Sequence, residues 1–235
     1  PPTTQINTLP PHDALPIYLM IDQEVETTGI SREVVLAKME ESLKVMERAV
    51  DRGLTGVRSL SGLSGGDAVL LAAYRQSGRA LTSSVFLDAI TYAVATNEVN
   101  AAMGIICATP TAGSAGVVPA VLLALREKLA LSREAQIGFL FTAGAFGGII
   151  ANNAVISGAA GGCQAEIGSA SAMAAAAAVE AAGGTPAQSA HALAIALKNM
   201  LGLSCDPVAG LVEIPCIKRN AAGASNALCA AEMAL

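Results

Sequence analysis

The sequence predicts an all-α protein: a compact bundle of close-packed, small-residue-rich helices joined by Gly/Pro loops. Three observations predict it. Apolar residues recur with a helical period, as at Leu36, Met39, Leu43, Met46 and Val50, the 3-4-3-4 spacing of one helix face. Strict apolar/polar alternation, the mark of a half-buried strand, is scarce. Ala-rich runs, the strongest helix formers, are punctuated by Gly-Gly steps, Pro and Ser/Thr caps.

The elements follow in order. Residues 1–20, PPTTQINTLPPHDALPIYLM, are Pro-rich and read as a tail, linker or foreign segment, and His12 within them is given no role. A helix starts after Ser31 as N-cap and stops near Gly53. The Gly/Ser loop Ser59–Ala68 opens a helix near Asp67. Asp88–Met103 is helical, with Asn97, Glu98 and Asn100 interrupting an apolar pattern. The loop Ala108–Gly116 feeds a helix carrying Pro119 in its first turns. Arg133–Ile150 is helical and expected to break at Gly147-Gly148. A loop around Cys163 precedes the Ala-rich helix Ser169–Ala182. Thr185 caps the next helix, with Pro186 at its first position, and that helix runs to about Leu201. Ser204–Ala227, with Pro207, Gly210 and Pro215, reads as loop. The chain ends in an uncapped helical run, AAEMAL, which reads as a truncated C-terminus.

Composition narrows the function. With 53% hydrophobic and only 14% charged residues, most of the chain must be buried. A net charge of −5 opposes nucleic-acid binding, which needs a basic face. Val99–Leu125 and Ala135–Ala165 lack charge and exceed the ~20 residues a bilayer span requires. They also carry Thr, Ser, Asn, Gln and Pro, and neither an aromatic belt nor flanking Lys/Arg clusters accompany them, so no membrane span is expected. The first Lys or Arg is Arg32, so no basic leader region is visible. Five cysteines cannot all pair within one chain, and a reducing cytoplasm is expected.

Cys163, Cys205 and Cys216 lie in segments rich in Gly or Pro: GGCQ, SCDP and IPCI. No CxxC is present, so a zinc ribbon or ferredoxin-type cluster is not indicated. Each thiol reads equally as a small buried hydrophobe or as one ligand of a convergent set. Cys107 and Cys229 sit in apolar, helix-like surroundings and read as packed residues.

Three longer segments carry a resemblance. ATNEVNAAMGIICATPTAGSAGVVPAVL, FTAGAFGGIIANNAVISGAAGGCQAEIGSASAMAAAA and KNMLGLSCDPVAGLVEIPCIKRNAAGASNA closely resemble the alpha chain of the iron–sulfur-dependent L-serine dehydratases, from about Ile21 onward. The resemblance implies that 21–235 is a helical catalytic domain. It further implies a [4Fe–4S] cluster on Cys163, Cys205 and Cys216, L-serine as substrate, and a beta chain or second subunit as partner. An iron left open by three cysteines would act as Lewis acid on the β-hydroxyl while a base removes the α-proton.

The substrate carboxylate needs donors. Thr109, Thr111 and Ser114 in TPTAGSAG, and Ser61, Ser64, Gly65 and Gly66 in SGLSGGDA, offer hydroxyls and backbone N–H groups entering helices. Tight turns and caps explain the same residues. Asn152 and Asn153, in an apolar run, are further candidates for the substrate, and equally read as buried, paired structural amides. Arg219 and Asn220 beside Cys216 are candidates for the carboxylate or the cluster sulfurs. The base candidates are Lys198, Glu98 and Glu166, with another chain as a further source; His191, on a helix, is expected to be exposed. Three rival readings remain at this level: a cluster-dependent L-cysteine desulfidase, a pyridoxal-phosphate dehydratase using Lys198 as Schiff base, and a small-residue-rich membrane or scaffold protein.

Overall fold

A computed structural model describes residues 16–235. The segment read as a tail lies largely outside them, His12 included, but helix α1 (Pro16–Thr28) begins within its last residues. The described elements are all helical, with one isolated bridge between Val208 and Leu211. The all-α expectation therefore holds.

Local signals place most helices. Ser31, in extended backbone, precedes α2 (Arg32–Leu54), whose Leu43, Met46 and Val50 are buried as the stripe requires. The Oγ of Ser83 accepts the Phe86 N–H at the start of α4 (Ser84–Ala101), and that of Ser132 accepts the Ala135 N–H at the start of α6 (Arg133–Asn153). Thr185 and Gln188 form a reciprocal capping box on α9 (Pro186–Asn199), satisfying donors the first turn leaves open. α3 (Asp67–Gln76) and α5 (Val117–Lys128) follow the expected loops.

Four expectations fail. The loop expected around Cys163 is helical instead, Gly158–Cys163 leading into a π-type turn over Gln164–Gly168, where the chain packs against the Leu203 segment. α6 runs unbroken through Gly147-Gly148, because Gly147 is buried there against Met173 and packing outweighs the propensity cost. The segment read as loop up to Ala227 becomes helix α10 (Glu213–Ala234); Pro215 falls in its first turn, where no intrahelical N–H is lost. Cys107 lies in a non-helical stretch between α4 and α5 rather than in a helix.

The centre of the bundle is α8 (Ser169–Ala181), buried continuously from Ser169 to Val179. A helix apolar on every side belongs inside. Alanines give it strong propensity, little side-chain entropy to lose and a thin cross-section, so α5, α6, α9 and α10 all pack against it. α4 is a second buried rod, against α2, α3, α5 and α10. Larger side chains on the surrounding helices, such as Leu43, Leu122 and Phe139, fill the remaining space. Among the described residues one helix, α6, is long and apolar enough to cross a membrane, and 44% of its apolar window is buried in the bundle.

One carboxyl is held in this interior. Thr142 on α6 donates its hydroxyl to Glu180 on α8. Burial raises the Glu180 pKa, and the threonine hydrogen bond only partly opposes it. The folded state thus keeps a proton at a pH where the unfolded chain has lost it. The contribution to stability is full below the ordinary carboxylate range and is lost as pH rises through the folded value. Stability of the wild type, followed by denaturant unfolding, is expected to fall across that window, and Glu180→Gln to flatten the slope. At the centre, Ala176→Leu is expected to cost about 1–3 kcal/mol by overpacking; a loss below 0.5 kcal/mol, on the order of a surface change, would show that α8 is not tightly enclosed.

Candidate functional site

Three chain segments meet beside the N-terminal end of α8. The first is α7 (Gly158–Cys163), followed by a π-type turn, Gln164–Gly168, that runs into α8. Such turns put an extra residue into the helical path and recur at functional sites. The second is the stretch between α9 and α10 that carries Cys205 and Asp206. The third is the first turns of α10, with Cys216, Arg219 and Asn220.

Backbone and side chains sew these together. The Gln164 N–H donates to the Leu203 carbonyl at 2.7 Å, and the Gly202 N–H donates to the Gln164 Oε1 at 2.8 Å. Gly162, at φ +73°, lies against Leu203 and Ser204, where an added Cβ would come within 3.2 Å of the Leu203 carbonyl oxygen. Left-handed backbone in so narrow a gap suits glycine alone. Arg219 completes the join: its Nη1 donates to the Cys163 Sγ at 3.1 Å, and its guanidinium pairs with Asp206, next to Cys205. A single side chain on the helix of Cys216 therefore holds the segments of both other thiols.

All five cysteines are free thiols. Cys163 and Cys216 are buried, while Cys205 is exposed. Burial raises the Cys163 thiol pKa, against the pull of Arg219, with Cys205 and Glu166 adding to the rise. Cys216 is pushed up to about 12, first by burial and then by Cys163, Glu166 and Cys205. The three thiols and Glu166 thus lie within reach of one another's charge. Two buried thiols and an exposed one, whose thiolate forms would repel one another, fit a cationic metal group, which takes thiolates and displaces their protons. Among the described residues no three His, Cys, Asp or Glu side chains close on a single metal ion. Cys107 and Cys229 lie elsewhere, half-buried before α5 and exposed on α10.

The loop before α5 faces this corner. Ser114 is fully buried, and its hydroxyl donates to the Thr109 carbonyl at 3.0 Å. Three asparagine amides hold the loop's carbonyls: Asn97 and Asn220 at Gly113 (3.1 and 2.7 Å), and Asn100 at Ala112 (3.0 Å). Asn220 also accepts the Gly116 N–H at 2.9 Å and donates to the Cys216 carbonyl at 2.7 Å. Thr111 donates to the Glu166 carboxylate at 2.8 Å. Among the described residues the buried Thr109 hydroxyl has no partner.

Other candidate residues land in different roles. Glu98 is buried, and its carboxylate accepts the N–H groups of Asp67 (2.7 Å) and Ala68 (3.4 Å). The helix start at Gly65-Gly66, where a substrate anion was expected, is thus filled by the protein's own carboxylate, an N-terminal cap for α3. Burial raises the Glu98 pKa, and those amides oppose it. Ser61 and Ser64 donate to Glu213 at 2.8 and 3.0 Å, tying that loop to the start of α10. Asn152 and Asn153 are exposed at the end of α6 rather than buried, and Asn153 bonds the Ile149 carbonyl at 2.7 Å. Local apolar composition suggested burial, but the helix end faces outward. Lys198 is exposed in the last turn of α9, and His191 is exposed on the same helix as expected. Sequence reasoning missed Asn97, Asn100 and Asp206 as site-building residues; polar residues on an apolar helix were the signal for the first two.

The fold and the site together define a helical protein with a thiol-bearing corner and an asparagine-braced loop facing it. The chain belongs to the serine dehydratase alpha chain family, whose model matches residues 13–235. It is 68% identical over 217 residues to the probable L-serine dehydratase alpha chain of Bacillus subtilis, covering 92% of this chain and 72% of that one. It is 43% identical over 220 residues to the L-serine dehydratase alpha chain of Peptoniphilus asaccharolyticus, with 92% and 75% coverage. The L-serine dehydratase of Streptomyces coelicolor is 42% identical over 199 residues, spanning 82% of this chain but 43% of its own length.

The bracing predicts a measurable asymmetry. Asn220→Ala leaves the buried Gly116 N–H without its partner and the Gly113 carbonyl with Asn97 alone, and should lower unfolding free energy by about 2 kcal/mol. Asn100→Ala, whose bond lies at the exposed edge of the loop, should cost less than about 1 kcal/mol. Equal losses would show that Asn220 is not the principal brace.

Proposed function

We propose that this chain is the alpha subunit of a cytoplasmic L-serine dehydratase, a lyase converting L-serine to pyruvate and ammonia. The observation that carries the reading is the joining of the Cys163, Cys205 and Cys216 segments by Arg219 beside the Thr111–Glu166 contact, in a chain of this family. The three cysteines would hold a [4Fe–4S] cluster, which bonds its cysteine sulfurs through different irons and so asks for wider spacing than one ion does. Bound with only three protein ligands, it supplies a Lewis acid for the β-hydroxyl.

The chain's residues do the rest of the positioning. The asparagine amides engage the loop carbonyls at Ala112 and Gly113, leaving the N–H groups there for the substrate carboxylate. Arg219 donates to the Cys163 sulfur, stabilising negative charge there, and keeps the Cys205 segment against α7. Serine loses water to give 2-aminoacrylate, whose imine tautomer hydrolyses to pyruvate and ammonia. Electrons stay paired throughout, and no oxidant is needed. Glu98 is committed to α3 and Lys198 is exposed on α9, so in this reading the acceptor of the α-proton comes from the second subunit. The alpha-chain names of the relatives, and the longer Streptomyces protein of which this chain covers 43%, support such a subunit. Five free thiols suit a reducing compartment.

The test is anaerobic purification with the second subunit, followed by iron and sulfide analysis and a pyruvate and ammonia assay. Cys163→Ala, Cys205→Ala and Cys216→Ala should each lower bound iron and abolish pyruvate formation. Cys107→Ala and Cys229→Ala should retain both. Undiminished iron in all three of the first set would refute the cluster assignment.

A further inference from the structure

Glu166 has fewer partners than the other carboxylates around this corner. Glu98 receives the α3 amides, Glu213 receives Ser61 and Ser64, Asp67 pairs with Lys218, and Asp206 pairs with Arg219. Glu166 is half-buried and, among the described residues, no cation pairs with it; one hydroxyl, Thr111, donates to its Oε1. Two glycines let the carboxylate approach backbone closely. A Cβ on Gly113 would come within 2.9 Å of the Glu166 Oε2, and one on Gly158 would overlap the same oxygen. Backbone alone walls the carboxylate on those two sides. Thr111 links it to the loop assigned to the substrate carboxylate, and its charge reaches Cys163 and Cys216.

A half-buried carboxylate without a cation is an incomplete arrangement, since buried charge is stable when paired. The substrate class supplies the missing partner. An α-amino acid carries an ammonium group one bond from the carbon that bears its carboxylate. We propose that Glu166 binds the substrate α-ammonium and thereby selects α-amino acids over hydroxy acids and simple carboxylates. This rests on the dehydratase reading above. It makes Glu166 a specificity-determining residue rather than the base. The lack of side chains at Gly113 and Gly158 lets the carboxylate lie against backbone there, and the Thr111 hydroxyl fixes its Oε1.

The experiment uses the anaerobic holoenzyme with its second subunit and two probes that cannot undergo the full reaction. L-Alanine has the amine and no leaving group; 3-hydroxypropanoate has the hydroxyl and no amine. Glu166→Gln is expected to raise KM for L-serine and weaken L-alanine binding, measured by calorimetry, by roughly 10- to 100-fold, the scale of one charge-assisted hydrogen bond. Binding of 3-hydroxypropanoate should stay within about threefold, well under one such bond, with iron content unchanged. Gly158→Ala, which crowds the carboxylate without removing it, should show the same selective loss and serves if Glu166→Gln does not fold. A parallel loss of both probes would mean that Glu166 only shapes the loop. A fall in kcat with both affinities intact would make it the base. Either result overturns the proposal. Wild-type pyruvate formation is scored separately: its absence sinks the dehydratase reading, while L-alanine binding still reports on Glu166.

Discussion

The structure depends on how closely α10 sits between α4 and α8. Small residues along α10, Gly223, Ala224, Ala227, Ala230 and Ala231, are buried in that seam. Gly223 lies against Ile167 and Val117 with no room for a side chain. The close fit sets the height of α10, and the height sets where its first turns project. Two adjacent residues there divide the work: Asn220 bonds the loop before α5, and Arg219 bonds the thiol segments. Were α10 to ride further out by the width of a methyl group, both sets of bonds would be out of reach, since hydrogen bonds weaken quickly beyond their normal length.

Around this corner the charges are arranged economically. Lys218 and Arg219 neutralise Asp67 and Asp206, serine hydroxyls solvate Glu213, and a helix start solvates Glu98. Two of the three thiols are buried and their protons are held firmly by desolvation and by one another. Negative charge at Cys163 and Cys216 is therefore latent, which suits the metal group proposed for the sulfurs. With 14% charged residues, a large share of its buried or half-buried ionisable groups lies in this one region.

Much of the fold was legible in the sequence. Ser31, Thr185 and Pro186 marked helix starts because capping is a local bond, decided within four residues. The stripe from Leu36 to Val50 marked the buried face of α2 because helical period is a property of the chain. Signals failed where packing overrode local preference. Pro207, Gly210 and Pro215 suggested a loop, yet the stretch from Glu213 is helical because its small residues fit between α4 and α8. Gly147-Gly148 suggested a break, yet α6 passes through. Asn152 and Asn153 looked buried from their neighbours, although the end of α6 points outward.

By itself the sequence determined the helical class, most helix starts, the three cysteine segments and their resemblance to a dehydratase family, since each is written in spacing or composition over a short window. Which loop meets which thiol was decided only in three dimensions. Cys163 and Arg219 are 56 positions apart, as are nearly as many between Thr111 and Glu166, and nothing local encodes either contact. Two glycine-rich helix starts looked alike as anion sites in the sequence. Tertiary structure separated them by placing Glu98 over one and leaving the other facing the thiols. The physical reason is that an anion site is defined by what occupies it, and occupancy is set by helix packing.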